Sequence, residues 1–187
     1  MTNGRKVTIN IVAANVFSII LLIASAIIFT VPFYLIWNEQ AFRDGQVNHL
    51  WFFPLFLAGI VAHELLHGIG WSLYAKNGWK SISFGVMWKM LTPYCHCNEP
   101  LGKRPYMIGA LMPLVVLGII PAIVSLLIGN VVLLVWGIMF IAAAAGDIWM
   151  AWLLHKEDPE STILDHPNEA GFYVFPKEDI NTPTKEE

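Results

Sequence analysis

Long apolar runs alternate with short polar stretches along this chain, and they predict four membrane-spanning helices. The runs cover residues 7–37, 51–74, 107–128 and 131–154. Each is long enough to cross the hydrocarbon core of a bilayer, which takes about 20 helical residues. The first run is longer than that, so we expect a tilted or projecting helix. It also exceeds the apolar core of a signal peptide, so we interpret it as a retained transmembrane helix.

Residues 75–105 break the apolar pattern with glycines, prolines, lysines and aromatic residues. The stretches 81–84 and 86–90 are predicted as two short strands flanking Gly85, or as one bent strand. We expect a β-hairpin or a re-entrant element between the second and third helices. Residues 171–175 are predicted as one further strand. The predicted fold class is therefore an all-α integral membrane protein with about four transmembrane helices, this small β element and a short polar C-terminal tail.

The basic residues predict the orientation of these helices. Of the 11 lysines and arginines, all but Arg43 fall on one side of the four-helix arrangement. Basic residues concentrate on the cytoplasmic side of membrane proteins. Both termini and residues 75–105 are therefore expected to face the cytoplasm. We divide the chain into a membrane-embedded domain, residues 1–155, and a cytoplasmic polar tail, residues 156–187.

Composition supports the membrane class. The chain is 56% hydrophobic and 13% charged, whereas soluble domains carry about 25% charged residues. The net charge of −3 gives no reason to expect a nucleic-acid partner. The two cysteines, Cys95 and Cys97, are separated by one residue, which provides no disulfide framework.

The second apolar run carries a charged and titratable cluster, His63-Glu64-Leu65-Leu66-His67. Residues four apart share one face of a helix, so His63 and His67 can present two imidazoles to one metal ion. Glu64 lies one step round, where its carboxylate can reach a water molecule beside that metal. A structural cluster of the three side chains is the alternative. Because an ionisable group at the centre of a spanning helix costs about 2.5–3.5 kcal/mol, such groups are usually functional.

A catalytic zinc site usually has three protein ligands. Asp147 is the acidic residue inside the later apolar runs, and it lies seven residues before the end of its run, as His67 does. At 1.5 Å per residue both side chains are expected about 10 Å from the cytoplasmic helix ends, so they can meet at one depth. The alternative is that Asp147 pairs with a polar group or ends its helix early.

Two weaker candidates lie outside the helices. His96 stands between two cysteines, but on a strand it would face away from both, so four closed ligands are not visible. The stretch Asp165-His166-Pro167 is interpreted as a turn in the tail. The glycines around the motif are interpreted as packing residues, since small residues let membrane helices approach closely.

The motif and several other stretches resemble a family of small bacterial membrane proteins described as putative zincin peptidases. The chain also resembles, more distantly, the site-2-protease group of intramembrane zinc metalloproteases. The matching stretches are 63–67, 94–101, 110–113, 146–148 and 165–167. The resemblance implies His63, His67 and Asp147 as ligands of one zinc ion and Glu64 as the catalytic base. One departure is the order Gly146-Asp147, where site-2 proteases usually carry an Asp-Gly motif.

The sequence thus predicts an intramembrane zinc metalloprotease in the cell membrane, acting on a membrane-associated or transmembrane protein or peptide. The alternative is a non-catalytic membrane protein whose zinc site is structural or regulatory and which binds a partner. A helical peptide shields its carbonyls, so a substrate has to be held extended, and an exposed strand edge can do this. We therefore predict that the segment around Ser83, Phe84, Gly85 and Val86 binds substrate. A hairpin that only plugs the helix bundle is the alternative for this segment.

Overall fold

The computed structural model describes residues 4–45, 49–88, 92–167 and 169–176. The chain is mostly helical, with two small antiparallel sheets. Its helices are α1 (Ile11–Asp44), α2 (His49–Ser72), α3 (Lys103–Pro113), α4 (Ile120–Ile128), α5 (Val131–Ala143) and α6 (Ala145–His155). A π-helical segment (Leu114–Ile119) joins α3 to α4, and a 3-10 helix (Gly78–Ser81) follows α2. The strands are β1 (Arg5–Thr8), β2 (Ile82–Met87), β3 (Thr92–Cys97), β4 (Leu101–Gly102), β5 (Thr162–Asp165) and β6 (Gly171–Phe175).

Three helical stretches of the described chain are long and apolar enough to cross a membrane. They are Ile11–Asp44, Leu50–Ser72 and Lys103–Ile128, and a bent pair formed by α5 and α6 makes a possible fourth. This composition indicates a membrane location.

The fourth apolar run was predicted as one helix, but the chain bends by 48° where α5 gives way to α6. The side chain of Asn130 caps the start of α5 by accepting a hydrogen bond from the Leu133 amide, at 3.0 Å.

The first helix extends further than the sequence predicted. Its apolar run ends at Trp37, and a polar loop was expected from Asn38 onward. Instead the helix resumes after a single break at Asn38, whose φ of 61° lies in the left-handed region, and runs on to Asp44. The change of direction between the two helical stretches is therefore confined to one residue.

One of the two sheets joins distant parts of the chain. Its strand order is β1-β6-β5-β4, and all of its pairings are antiparallel. The residues predicted as a polar tail supply β5 and β6, where a single strand was expected at 171–175. The predicted all-α class therefore has to be amended by these small sheets. The domain boundary at residue 155 stays a prediction.

The other sheet is the hairpin of β2 and β3, which lies between α2 and α3 in sequence as predicted. Gly85 sits inside one continuous strand and pairs with Tyr94. A Cβ on Gly85 would meet the ring of Tyr94 at 2.4 Å, so only glycine allows the ring to lie across the strand. The Asn98 amide donates to the Ser81 carbonyl. Because hydrogen-bonded pairs alternate along an antiparallel ladder, the amides of Phe84 and Val86 point away from β3.

Helices α2 and α3 pack against each other at glycines. A Cβ on Gly70 would meet the Cα of Gly109 at 2.7 Å, and a Cβ on Gly109 would meet the Trp71 ring at 2.1 Å. The packing role predicted for the glycines of α2 fits this contact, because a side chain at either position would force the helices apart. The close approach brings the α3 backbone within reach of the His67 side chain.

Candidate metal centre

The helical spacing of His63 and His67 places both imidazoles on the same side of α2. The two side chains are buried, with relative exposures of 8% and 5%, and their ring centroids lie 4.9 Å apart. The ring of His67 also stacks on Trp71 at 5.2 Å, one turn further along the helix. Packing of this kind fixes the ring orientations before any ligand binds.

Asp147 reaches these imidazoles from the beginning of α6. Its Oδ2 lies 3.1 Å from His63 Nε2, and its Oδ1 lies 3.3 Å from His67 Nε2. The bend between α5 and α6 precedes Asp147 by only three residues, so α6 starts beside the motif. The predicted meeting of these three side chains therefore occurs, and Asp147 begins its helix instead of ending one.

The donor chemistry of this group fits a zinc ion. The two imidazole nitrogens and the carboxylate oxygen all lie within 4.8 Å of one another, and the described residues contain no second such group. Zinc bonds of about 2.0–2.1 Å in a tetrahedron separate neighbouring ligand atoms by roughly 3.3 Å. The observed separations of 3.1 and 3.3 Å between Asp147 and the histidines are close to that spacing.

A hydrogen bond from His67 also suits metal binding. Its Nδ1–H donates to the carbonyl oxygen of Gly109 at 3.0 Å. A carbonyl can only accept, so the proton of the neutral imidazole is on Nδ1 and the lone pair is on Nε2. That lone pair faces the carboxylate of Asp147, an arrangement that a cation between them would stabilise. Metal-binding histidines usually donate their other N–H to an oxygen acceptor in this way.

Glu64 lies beside the three candidate ligands without belonging to their group. It is half-buried and borders the same cavity as His63, His67 and Asp147. The backbone N–H of Cys95, on β3, donates a hydrogen bond to its carboxylate. The carboxylate is therefore held between α2 and the hairpin.

The cavity has a volume of about 480 Å³. Its walls come from α2, α6, the hairpin and the turn between β5 and β6. Of the four residues predicted to bind substrate, Val86 contributes to the wall, whereas Ser83, Phe84 and Gly85 do not appear in it. The strand edge that borders Glu64 belongs to β3.

Asp165 is a cavity residue that the sequence interpretation missed. It ends β5, and its carboxylate accepts a hydrogen bond from the Tyr106 hydroxyl and another, at 2.8 Å, from the Cys97 amide. Burial raises the pKa of Asp165 above its ordinary value, although these two hydrogen bonds act in the opposite direction. The turn that was predicted for Asp165-His166-Pro167 begins after Asp165, in the residues that connect β5 to β6. A signal for its role would have been a carboxylate at the end of a predicted strand.

The cysteines belong to the hairpin's packing surface. Cys95 and Cys97 are buried as free thiols on the face of β3 opposite to His96. Burial raises the pKa of both thiols, most strongly that of Cys95, so neither is a thiolate near neutral pH. The two thiols and His96 thus lie on opposite faces of β3, as the strand alternation predicts.

Comparison with known families bears on this site. Residues 56–162, more than half of the chain, match the family model described as a putative zincin peptidase. The chain belongs to this family. The matched region includes all three candidate ligands, and the family description implies zinc as the metal. Neither the curated proteins nor the solved structures gave a match to the chain.

Proposed function

We propose that this protein is an intramembrane zinc metallopeptidase that hydrolyses peptide bonds with Glu64 as the general base. One observation carries the proposal: the atoms of His63, His67 and Asp147 that suit zinc border the same cavity as Glu64. A catalytic site needs an open position for water and substrate. We include in this proposal the resemblance of the chain to site-2 proteases, which supports cleavage within the membrane.

Each side chain has a distinct role in the proposed reaction. His63, His67 and Asp147 would hold the metal. Bound zinc would lower the pKa of a water molecule to about 7 and polarise the peptide carbonyl. Glu64 accepts a proton from water as it attacks the carbonyl, and then donates that proton to the leaving amine. The Cys95 amide orients the Glu64 carboxylate for both transfers.

We also propose four spans, with both termini in the cytoplasm. The larger sheet supports this, because it joins β1 near the N-terminus, β4 between α2 and α3, and β5 and β6 after α6. A hydrogen-bonded sheet lies on one side of a membrane, so α1 and α2 together, and α3 to α6 together, must each return to that side. With α5 and α6 taken as one broken span, four crossings result. The basic residues select the cytoplasm for the sheet.

The proposed substrate is an extended segment of a membrane-associated or transmembrane protein. The hairpin supports this, since Val86 borders the cavity and the amides of Phe84 and Val86 point away from β3. Within the described chain β2 pairs with no strand other than β3. Its outer edge therefore offers main-chain groups to a substrate strand.

The non-catalytic alternative makes the zinc a structural element that stabilises a partner-binding protein. Such sites are usually closed by four protein ligands. Among the described residues the group has three members, and all three line the same cavity as Glu64. This geometry favours the peptidase.

The deciding experiment compares the wild type with Glu64→Gln and with Glu39→Gln, a control that changes an exposed glutamate ion-paired with Arg43. We expect about one zinc per purified chain in all three proteins, by elemental analysis. Cleavage creates new protein N-termini in the membranes of the expressing cells. We expect to detect them in cells that express the wild type or Glu39→Gln, but not in cells that express Glu64→Gln. Cleavage that persists with Glu64→Gln would refute the assignment of the base. Zinc without cleavage in the wild type would support the structural alternative.

A further inference from the structure

Beyond Glu64 and Asp147, the cavity is lined by the carboxylate of Asp165, which the proposed reaction does not use. Asp165 closes the side of the cavity formed by the larger sheet, on the strand β5. It is half-buried, with one side on the cavity and the rest enclosed by protein. Its two oxygens are committed to two different elements of the fold, and this division suggests its role.

One oxygen of Asp165 connects, through α3, to the helix α2 that carries two of the candidate ligands. Oδ1 accepts a hydrogen bond from the hydroxyl of Tyr106, a fully enclosed side chain on α3. The Tyr106 carbonyl in turn accepts from Trp71 Nε1 at 2.9 Å. Trp71 is the residue on which the His67 ring stacks, so this side of the network ends at a candidate ligand.

The other oxygen of Asp165 connects to the hairpin. Oδ2 accepts the Cys97 amide at 2.8 Å. Two residues earlier on the same edge of β3, the Cys95 amide donates to Glu64. Alternate residues of a strand present their amides to the same side. Asp165 and Glu64 are therefore neighbouring acceptors along one strand edge.

We propose that Asp165 is a positioning residue: it ties β3 to α3 at the distance that lets the Cys95 amide orient the Glu64 carboxylate. The inference rests on the proposed peptidase function for its catalytic consequence, but its structural part stands on these contacts alone. It also makes the strands after α6 a part of the active site, since β5 carries the residue.

A neutral amide should replace Asp165 well. Its Oδ1 and Nδ2 can accept from the Cys97 amide and donate to the Tyr106 hydroxyl oxygen. The raised pKa of Asp165 is in the same direction, because burial disfavours the charged form of the carboxyl group. Alanine offers neither bond and frees the strand edge.

The cysteines provide a readout that does not depend on activity. Cys95 and Cys97 are 6% and 1% exposed, and the chain has no other cysteine. If Asp165 holds β3 in place, Asp165→Ala should raise the maleimide-labelling rate of these thiols at least about tenfold, through local opening of the hairpin. Asp165→Asn should label like the wild type. Glu157→Gln is the matched control. It changes a residue that follows α6 and removes its ion pair with Arg5, but it removes no contact with the hairpin.

The kinetic readout uses any peptide that the wild type cleaves. Asp165→Ala should lower kcat by about 100-fold through a misplaced base, with KM nearly unchanged. Asp165→Asn should restore kcat to within about tenfold of the wild type, the size of one modest hydrogen-bond loss. Zinc content should stay the same in all variants. A rise in KM with unchanged kcat would instead make Asp165 a substrate-binding residue and overturn the inference.

The labelling experiment decides the inference even where no peptide is cleaved. In that case the proposed function fails, while faster labelling of Asp165→Ala still upholds the positioning role. Thiols that stay protected in folded Asp165→Ala overturn it. If that variant does not fold, Tyr106→Phe replaces it, because it removes only the hydroxyl that binds Oδ1. Faster labelling is again expected, and unchanged labelling would again contradict the proposal.

Discussion

His67 donates its Nδ1–H to the carbonyl oxygen of Gly109, 3.0 Å away on the neighbouring helix. This bond leaves the lone pair on Nε2, which faces Asp147 Oδ1 at 3.3 Å. A metal ion would bind between these two atoms. The bond exists because Gly109 lets α2 and α3 approach closely. A residue with no functional group of its own thus prepares a ligand for zinc.

Gly109→Ala should therefore weaken zinc binding. The added methyl group would lie 2.1 Å from the Trp71 ring, so α3 must move away and lengthen the bond to His67. Loss of such an outer partner typically costs about 10–100-fold in metal affinity. Chelator competition on the purified protein measures the change. Gly102→Ala is the control, since its methyl group would meet nothing closer than 3.6 Å; equal affinities for both variants would contradict the packing argument.

Asp147→Ala should weaken zinc binding by at least about tenfold, because losing a ligand should cost no less than losing an outer partner. The substitution leaves two imidazoles, fewer than the three protein ligands usual for catalytic zinc. Asp158→Ala, which changes an aspartate in the turn after α6, should bind zinc as the wild type does. An affinity unaffected by Asp147→Ala would point to another ligand, with Glu99 and His96 the next to test.

Reporter fusions test the orientation. A fusion after Asn130, between α4 and α5, should read as external, whereas one after Asn77, between α2 and the hairpin, should read as cytoplasmic. The expectation follows from the sheet, which gathers β1, β4, β5 and β6 on one side. A cytoplasmic signal from the Asn130 fusion would rule out four spans with this orientation.

Proline substitutions test substrate presentation by β2. Phe84→Pro removes an amide that points away from β3, so the hairpin should persist while pairing with a substrate strand is lost. Cleavage should fall below detection with zinc content unchanged. Ser83→Pro removes an amide directed at β3 and reports the effect of disrupting the hairpin itself. If Phe84→Pro cleaves normally, the outer edge of β2 does not hold substrate and the β3 edge beside Glu64 becomes the candidate.

The raised pKa of Asp165 predicts a pH dependence of stability. A carboxyl group whose pKa is higher in the folded protein than its ordinary 3.8 binds its proton more tightly when folded. Its contribution is present at low pH and is lost as pH rises through the raised pKa. Thermal unfolding in detergent should show the wild type losing stability relative to Asp165→Asn as the pH rises above about 4. If the stabilities of the two proteins changed with pH in the same way, the raised pKa of Asp165 would be contradicted.

Local sequence patterns predict most of the helical stretches and the two imidazoles on one helix face. Apolar runs of spanning length and the four-residue spacing of His63 and His67 are local properties, and both are independent of how helices pack. The depth argument also predicted that Asp147 would meet them. It did not predict the break between α5 and α6, because the run of small apolar residues there gives no sign of a bend.

The hydrogen bonds that orient these ligands, and the cavity around them, depend on tertiary packing. The carbonyl of Gly109 and the amide of Cys95 are main-chain groups, which every residue carries, so no sequence pattern identifies them as partners of His67 and Glu64. The strand pairings that bring Asp165 to the cavity are equally hidden, since β1, β5 and β6 are four or five residues long and join ends of the chain more than 150 residues apart. Such long-range pairings depend on chain closure that local propensity does not encode.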